Sequence, residues 1–402
     1  MQRGAVLQTI ATNGDGADLA VCEGVMGLFN GVATPGAWGT GATADIAAAT
    51  GWPVVLVLDV SGQAQTAAAV ALGCAKLRAD VTVAGQSIVD AHHHLFDRPG
   101  NRYLLDDFSE DLNSGHNVVA TVFVQARAAY RTSGREELRP VGETEFACRI
   151  ADEAATRKGA KVCAGIVGFA DLMRGDAIRP VLEAHVAAGQ WRFRGIRHIL
   201  AWDADVRLLN PAYPTTEDMM ANPAFRLGFA QLAELDLSFD AWLHFHQIPR
   251  LTALARAFPG VPIVLDHCGG VLGIGAYQGA REKVFAAWRS ALRDLADCPN
   301  VMCKIGGLGM ALSGLGFENA ARAPSLQELA NAWRPYLEGC IEAFGTPRCM
   351  FESNFPVDRV SYGYAIGWNA MKRIVAGASA TEKDDLFWRS AANLYHLDMP
   401  LA

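Results

Sequence analysis

Residues 88–96, with the sequence Ile-Val-Asp-Ala-His-His-His-Leu-Phe, give the first indication of both the fold and the chemistry of this chain. Apolar residues around the histidines predict a short buried strand, in which successive side chains point to opposite faces. We therefore expect Asp90, His92 and His94 on one face and His93 on the other. Two imidazoles that converge at the end of a strand predict a metal site or a general acid/base pair near neutral pH.

Similar apolar runs recur along the rest of the chain, and helical stretches separate most of them. Eight strand-then-helix units predict an α/β fold, a (β/α)₈ TIM barrel, whose active site is built at the C-terminal ends of the strands. A doubly wound open sheet also alternates strands and helices and is the alternative. The predicted strands are residues 88–95, 117–125, 161–169, 194–200, 239–246, 262–267, 300–305 and 348–353.

Polar side chains end nearly every predicted strand, and seven of the ten histidines lie in these stretches. His244 and His246 are expected to share one face of the fifth strand. Arg197 and His198 are adjacent, so only one can point inward, where an arginine would offer a planar fork to a substrate carboxylate. Lys304 is costly to bury without a partner and could hold a substrate anion. The candidate substrate-binding residues are Arg197, His198, His246 and Lys304.

His267 follows Asp266 at the end of the sixth predicted strand, which makes it a candidate metal ligand or carbonyl-polarising group. Together with His92 and His94 it forms the candidate catalytic and metal-binding set. Asp266 is expected to orient a neighbouring imidazole by hydrogen bonding rather than to react itself. The cofactor expected at this set is one divalent metal ion, zinc or manganese, although a metal-free site is the alternative.

Five motifs in order along the chain resemble the amidohydrolase-2 family, which includes sugar-lactonase and dicarboxylate-lactonase enzymes. The resemblance extends from about residue 87 to about residue 396. It implies a (β/α)₈ barrel that hydrolyses a C–O or C–N bond of a small acid or lactone, in some members with one divalent metal and in others without. The motifs are residues 90–94 (Asp-Ala-His-His-His), 193–197 (Phe-Arg-Gly-Ile-Arg), 265–269 (Leu-Asp-His-Cys-Gly), 300–304 (Asn-Val-Met-Cys-Lys) and 351–356 (Phe-Glu-Ser-Asn-Phe-Pro).

The eighth predicted strand departs from this family. Where the family usually has the aspartate of Ser-Asp-Trp-Pro, which ligates metal and activates water, this chain has Asn354. A neutral amide cannot accept a proton, although its oxygen can still bind a metal or a water. Asp358 is the loop-exposed carboxylate that could replace the aspartate, whereas Glu352 is expected to face the helices. Asn354 and Asp358 therefore complete the candidate catalytic residues.

The composition restricts the class of protein. A chain of 402 residues is long enough for one large and one small domain, here residues 87–402 and 1–84. A hydrophobic content of 51% fits a compact enzyme, and the net charge of −7 gives no footprint for nucleic acid. No apolar run approaches the roughly 18 residues that span a bilayer. Nine cysteines without a Cys-x-x-Cys motif are typical of buried thiols in a reducing cytoplasm.

Residues 1–84 predict a separate strand–helix–strand–helix segment, a small truncated piece of the P-loop-NTPase type. Residues 21–31, 43–48 and 53–65 resemble an internal part of the ATP-dependent cobyrinic acid a,c-diamide synthase family. Residues 36–43 have the glycine spacing of a phosphate-binding loop, but Ala42 stands where the lysine is required. We therefore expect no ATP binding. Because half a parallel sheet would expose an edge, we expect this segment, a remnant of gene fusion, to dock on the barrel, to form a homo-oligomer or to be poorly ordered.

The expected function is hydrolysis of a small carboxylated lactone or related cyclic ester, with water activated at a histidine-rich site at the barrel mouth. The expected partner is a small-molecule substrate, with no nucleic acid and no membrane. Two alternatives remain open: a metal-dependent decarboxylase of the same superfamily, and a non-catalytic barrel in which Asn354 marks a decayed site.

Overall fold

The structure is a computed structural model that describes residues 86–399. Eight strands form one parallel sheet in chain order, and the sheet curls into a (β/α)₈ barrel, which confirms the predicted fold over the alternative open sheet. The predicted segment of residues 1–84, with its phosphate-loop decoy, lies outside the described residues, as does the last stretch of the predicted 87–402 domain.

The barrel strands are short and largely buried, and each begins within two residues of its predicted start. A small antiparallel hairpin, which the sequence patterns did not predict, lies between the first and second barrel strands. The barrel strands are β1 (Ile88–His93), β4 (Val118–Val124), β5 (Lys161–Gly168), β6 (Phe193–Ile199), β7 (Ser238–Trp242), β8 (Ile263–Leu265), β9 (Val301–Ile305) and β10 (Cys349–Phe351); the hairpin is β2 (Phe96–Arg98) and β3 (Asn101–Tyr103).

Helices surround the barrel and present one apolar stripe to it. The longest begins at a capping box, in which the Ser325 hydroxyl accepts a hydrogen bond from the Glu328 amide. No helix within residues 86–399 has the combination of length and hydropathy needed to cross a bilayer. The helices are α1 (Leu105–Leu112), α2 (Val141–Ala155), α3 (Arg179–Gly189), α4 (Pro223–Glu234), α5 (Ile248–Ala257), α6 (Arg281–Ala296), α7 (Leu326–Phe344), α8 (Tyr364–Ile374), α9 (Ala380–Asp384) and α10 (Ser390–Leu394).

Two apolar cores hold the barrel together. The larger core lies between the strands and the helices and contains the buried side chains of Trp288 and Trp333. The smaller core fills the barrel interior with residues such as Val89, Val122 and Val264. Tyr395 and Leu397 join the interior core from the C-terminal segment. The barrel interior is therefore filled by apolar side chains at the N-terminal ends of the strands, and its inward ionisable side chains lie between the middle of the strands and the loops that follow them.

An irregularity in β1 changes which side chains face inward. The pairing of β1 with β4 slips between Asp90 and His93, so that one extra residue is accommodated as a bulge. The bulge leaves Ala91 and His92 on the same, inner side. The expectation that Asp90 shares the face of His92 is therefore wrong. The Asp90 carboxylate accepts hydrogen bonds from the Tyr364 hydroxyl in the helix layer, at 3.0 Å, and from the backbone amide of Ser353 in the loop after β10.

The barrel closes through the loop after β10 rather than through a long ladder between β10 and β1. The Asn354 amide donates to the carbonyl of His92 at 2.9 Å, and the His94 amide donates to the carbonyl of Phe355 at 2.8 Å. The Ser353 amide donates to the Asp90 carboxylate at 2.9 Å. These bonds fix the two ends of the predicted site against each other.

The strand β7 ends earlier than predicted. Its last residue is Trp242, and the Gln247 side chain takes over the next bonds of the ladder: it accepts from the His244 amide at 3.1 Å and donates to the Leu200 carbonyl at 2.9 Å. The expectation that His244 and His246 share one strand face is therefore wrong. Both residues belong to the turn that follows the strand.

Candidate active site

Inward side chains from seven barrel strands or the loops that follow them meet in one buried group, which we call the central cluster. It lies where the C-terminal halves of the strands converge, and all of its ionisable groups are nearly or fully inaccessible to solvent. The central cluster consists of His92, His94, Gln125, Arg197, Asp240, Asp266, His267, Lys304 and Glu352.

His92 and His94 face each other, with 3.2 Å between their Nε2 atoms. The Nδ1 of His94 lies 2.8 Å from the carbonyl oxygen of Val124, which can only accept, so this nitrogen carries the proton and Nε2 keeps its lone pair. Burial lowers the pKa of both imidazoles well below the usual range, and the charge of Lys304 lowers that of His92 further. Both rings are therefore neutral near pH 7.

His267 is held by an unusual backbone turn. It has a φ of 54°, in the left-handed region, and Cys268 and the two glycines after it have positive φ as well. Gly307 lies so close that an added Cβ would be 2.5 Å from the imidazole. The His267 ring centroid lies 4.5 Å from that of His92, and burial lowers its pKa to about 4. The turn thus places a neutral imidazole beside His92, which in turn contacts His94.

Glu352 points into the barrel, and the prediction that it faces the helices is wrong. Its Oε1 lies 2.8 Å from Nδ1 of His267, and its Oε2 lies 3.2 Å from Nδ1 of His92. The strand β10 ends at Phe351, so the alternation used for the prediction stops one residue too early. Burial raises the pKa of Glu352 well above its usual range, and the Asp266 carboxylate raises it further.

Lys304 is buried in a network of opposite charge. Its Nζ lies 2.5 Å from the Asp240 carboxylate, 3.6 Å from that of Asp266 and 3.3 Å from Nδ1 of His92. The Tyr395 hydroxyl donates to the same Asp240 oxygen at 2.9 Å. Burial alone would lower the pKa of Lys304, but these carboxylates raise it, so the lysine remains charged. The positive charge of Lys304 is thus neutralised by carboxylates of the protein itself.

Asp266 is the carboxylate of the central cluster that has no hydrogen-bond partner on either oxygen. Its nearest ionisable neighbours are Lys304 at 3.6 Å, the neutral ring of His92 at 3.7 Å and Arg197 at 4.0 Å, and neither of its oxygens accepts a hydrogen bond. The expectation that Asp266 orients an imidazole by hydrogen bonding is therefore wrong. Glu352, rather than Asp266, holds the His267 ring by a hydrogen bond. Burial raises the pKa of Asp266, and the Lys304 charge opposes the rise.

Arg197 points inward and His198 points outward. One Arg197 nitrogen, Nη1, lies 3.1 Å from Nε2 of His92, and the other donates to the backbone carbonyl of Gln125. His198 packs between the rings of Phe169 and Phe225, with centroids 5.4 and 5.6 Å away. The structure thus brings Arg197 to the central cluster and places His198 in the helix layer.

Asn354 and Asp358 lie together beside the central cluster. The Asn354 side chain donates to Asp358 at 2.8 Å, and the other Asp358 oxygen accepts from the Gly309 amide at 2.9 Å and the Tyr362 hydroxyl at 2.8 Å. Asp358 is completely buried, so the prediction that it is loop-exposed is wrong. Burial raises its pKa to about 6. With three donors in place, Asp358 anchors the loop after β10.

His246 belongs to a second polar group, which we call the distal cluster and which consists of Asp203, His244, His246 and Tyr277. Asp203 accepts from Nε2 of His246, at 3.0 Å, and from the Tyr277 hydroxyl, at 2.7 Å. These residues follow β6, β7 and β8, so the distal cluster lies at the same end of the barrel as the central cluster.

Two sets of described residues have the geometry to hold a metal ion. His92, Asp266 and His267 each offer an atom within 4.8 Å of the others, and so do Asp203, His244 and His246. The first set differs from the predicted one in that Asp266 takes the place of His94. Sequence patterns also missed Asp240 and Glu352; the only signal for either was an acidic residue within or directly after an apolar strand.

Comparisons with known proteins agree with this architecture. The amidohydrolase family matches residues 89–397. An L-fucono-1,5-lactonase from Burkholderia multivorans is 30% identical over 329 residues, which are 78% of this chain and 97% of that protein. A solved structure of an amidohydrolase from Burkholderia multivorans with bound zinc superimposes with a TM-score of 0.60 at 27% identity, over 77% of this chain and 99% of that one.

The segment before the barrel has a different relative. A hydrogenobyrinate a,c-diamide synthase from Rhodobacter capsulatus is 57% identical over 70 residues, which are 17% of this chain and only 16% of that enzyme. Both predicted resemblances are thus confirmed, the first over the barrel and the second over a fragment. Because the family match extends over nearly the whole barrel, the chain belongs to the amidohydrolase family of enzymes.

Proposed function

We propose that this protein hydrolyses a small lactone or related cyclic ester at the central cluster, with the help of one divalent metal ion. The observation that carries the proposal is the Asp266 carboxylate, which is fully buried and has no hydrogen-bond partner on either oxygen. Such a group is costly unless a ligand, a water or a cation completes it. The similar lactonase supports the substrate class, and the zinc in the similar structure supports the metal.

The residues of the central cluster fit such a metal. Neutral imidazole nitrogens and carboxylate oxygens are ligands that zinc accepts, and His92, Asp266 and His267 offer them within 4.8 Å of one another. Glu352 supports the His267 ring from behind at 2.8 Å, as carboxylates that orient metal-binding histidines do. When bound, the metal would polarise the ester carbonyl and lower the pKa of a water molecule.

The protein's own groups account for the proton movements. One oxygen of Asp266 can hold a cation while the other accepts the proton of the attacking water. Because burial raises the pKa of Asp266, the carboxyl group can return that proton to the ring oxygen that leaves when the ester bond breaks. One water is consumed, and the product is the open hydroxy acid. Arg197 supplies a permanent positive charge where the carbonyl oxygen becomes negative.

The test is acid release from a panel of lactones, compared between the full-length protein and its Asp266→Asn and His92→Ala/His94→Ala variants. We expect both variants to lose at least about 100-fold in kcat, the size typical of removing a proton-transfer group. His198→Phe is the matched control, because His198 is a buried strand histidine that faces away from the cluster. It should fold and turn over as the parent does.

Metal content gives the second half of the test. Elemental mass spectrometry of the purified protein should find about one equivalent of zinc or manganese per chain, and less in the Asp266→Asn variant. Full activity of Asp266→Asn with correct folding would refute the assignment of the proton acceptor. Activity that survives complete removal of the metal would leave the hydrolase proposal in place and refute the metal.

A further inference from the structure

The C-terminal segment of the described chain packs into the barrel interior. Helix α10 ends at Leu394, and the side chain of Tyr395, which follows it, is fully buried in the interior core. Leu397 joins the same core and comes so close to β5 that a Cβ on Gly165 would lie 3.2 Å from it. We call residues 395–398 the C-terminal plug.

Two cations fasten the C-terminal plug at the end of the barrel where the strands begin. Lys161, the first residue of β5, donates to the carbonyl of Asp398 at 2.6 Å, and Arg194, near the start of β6, donates to that of His396 at 3.1 Å. The loops that carry the candidate site lie at the other end of the strands. The C-terminal plug therefore approaches the central cluster from the side opposite those loops.

The Tyr395 hydroxyl is the group of the C-terminal plug that reaches the central cluster. It donates to Oδ2 of Asp240 at 2.9 Å, the same oxygen that lies 2.5 Å from the Lys304 ammonium group. Burial raises the pKa of Tyr395 well above its usual range, so the hydroxyl keeps its proton and acts as the donor. The Tyr395 ring faces the same ammonium group, with Nζ 5.3 Å from the ring centroid. Tyr395 thus contacts both members of the buried pair.

The Tyr395 hydroxyl also fixes the orientation of the Asp240 carboxylate. The Oδ2 atom of Asp240 has two partners, whereas its Oδ1 atom has none among residues 86–399. Because the last torsion of an aspartate side chain is soft, Tyr395 and Lys304 together hold the carboxylate in one orientation. Without the hydroxyl, the carboxylate can turn about this torsion while it keeps the lysine. The ammonium group then follows Asp240.

The position of this ammonium group matters because two groups of the candidate site lie next to it. Lys304 Nζ lies 3.6 Å from the carboxylate of Asp266, the proposed proton acceptor, and 3.3 Å from Nδ1 of His92. Since the attraction between charges falls with distance, a displacement of about 1 Å would weaken the attraction to Asp266 by about a fifth. A shift of the ammonium group therefore changes the charge environment of the residue that would activate water.

We propose that Tyr395 is a positioning residue of the central cluster, which holds Asp240 in one orientation and thereby keeps the Lys304 charge beside Asp266 and His92. Tyr395 acts through Asp240 and Lys304 and not on the substrate. The kinetic consequence of this inference rests on the proposed function, whereas its structural consequence does not. The expected effect is on the chemical step, with substrate binding unchanged.

The competing role of the hydroxyl is structural only, that of a buried polar group that has found a partner. Tyr103 offers a matched control for this role. It is also fully buried, and its hydroxyl donates to a carboxylate, that of Asp111 in α1, at 2.6 Å. Tyr103→Phe and Tyr395→Phe each keep the ring and remove one such bond, so both should fold and lose a similar amount of thermal stability. Only Tyr395→Phe should alter the central cluster.

Kinetics of the metal-loaded, full-length protein on the lactone that it hydrolyses fastest test the inference. We expect Tyr395→Phe to lower kcat about tenfold, the effect of one charge-assisted hydrogen bond, and to leave KM within about twofold of the parent value. Tyr103→Phe should leave both constants unchanged. The double variant Tyr395→Phe/Asp240→Asn should be no slower than Asp240→Asn, because Tyr395 acts through Asp240. An unchanged kcat in Tyr395→Phe, or losses that multiply in the double variant, would overturn the inference.

Nitrogen NMR separates failure of this inference from failure of the proposed function. The protein, incubated with zinc, is isotopically labelled in the histidine ring nitrogens, and the signals of His92 are those missing from the His92→Ala variant. Because the Lys304 ammonium group lies 3.3 Å from Nδ1 of His92, we expect Tyr395→Phe to shift these signals and Tyr103→Phe to leave them in place. Unshifted His92 signals in Tyr395→Phe would refute the inference even in an active hydrolase. A shift in a protein that hydrolyses none of the lactones would refute the proposed function alone.

Discussion

Replacing Lys304 by methionine is expected to destabilise the protein strongly, although the two side chains are similar in length. The ammonium group of Lys304 is fully buried and lies 2.5 Å from Asp240 and 3.6 Å from Asp266. Methionine keeps an apolar stem of similar length but loses the cation–π contact of Lys304 Nζ, which lies 5.3 Å from the centroid of the Tyr395 ring. The substitution therefore removes one positive charge and leaves the buried carboxylates of Asp240 and Asp266 without their cationic partner.

The size of the effect follows from these distances. With an effective dielectric constant of about 20, the attractions to Asp240 and Asp266 are about 7 and about 5 kcal/mol. Much of this is offset because the variant no longer has to desolvate an ammonium group, and breaking buried pairs typically costs about 3–5 kcal/mol. At about 2 °C per kcal/mol for a domain of this size, the midpoint of thermal unfolding should fall by about 6–10 °C.

The loss should depend on pH in a defined direction. Burial raises the pKa of Asp266, and the Lys304 charge opposes that rise, so the variant holds a proton on this carboxyl group up to a higher pH. The folded variant then binds more protons than its unfolded state, and its stability falls as pH rises. Thermal unfolding should therefore show a small deficit near pH 5 and the full deficit near pH 8.

The double variant Lys304→Met/Asp240→Asn tests the cause. It removes both members of the closest pair, and it should recover much of the stability that Lys304→Met loses, because one stranded carboxylate is gone. If the losses of the two single variants simply add, or if the deficit of Lys304→Met is the same at pH 5 and pH 8, the electrostatic account of this network is wrong.

Two further substitutions probe the loops that hold the site. Asn354→Asp replaces a donor 2.8 Å from Asp358 by a second carboxylate. The free energy of unfolding should fall by about 1–3 kcal/mol at pH 8 and by less at pH 5, because Asp358, with a pKa of about 6, holds a proton there. An equal loss at both pH values would contradict this account. Gly307→Ala places a Cβ 2.5 Å from the His267 ring and should reduce lactone turnover more than tenfold. Gly279 has a similar φ and no atom within 4 Å of an added Cβ, so Gly279→Ala should only lower stability, by about 1–2 kcal/mol of backbone strain. Equal kinetics of the two variants would contradict the role given to Gly307.

The strands of the barrel were predictable because burial on both faces leaves an unbroken apolar run in the sequence. The run at 300–305 became Val301–Ile305, and that at 194–200 became Phe193–Ile199. The fifth run was predicted to reach residue 246, but the strand ends at Trp242. The Gln247 side chain replaces the ladder there, and a side chain that imitates backbone bonding leaves no trace in hydrophobic periodicity.

The face of each polar residue was less predictable than its strand. Strict alternation assigned Asp90 to the inner side, and one inserted residue in β1 reversed that assignment. Glu352 was assigned outward by the same rule, although it follows the last paired residue of β10, where the rule no longer applies. Both errors arise in the C-terminal half of a strand or directly after it, which is also where a barrel builds its active site. Sequence periodicity is therefore least informative at the residues that matter most for function.

The departure at Asn354 has a different meaning once the carboxylates are located in space. Sequence comparison alone suggests that the loss of an aspartate at this position deprives the site of its proton acceptor. In the structure, the side-chain amide of Asn354 donates to Asp358 at 2.8 Å, so that an amide, with its donor, suits this position better than a second acid. Asp266, with two unpartnered oxygens, supplies a carboxylate where the imidazoles converge. The proton acceptor that we propose is thus Asp266, in the loop after β8, and the asparagine does not by itself imply an inactive barrel.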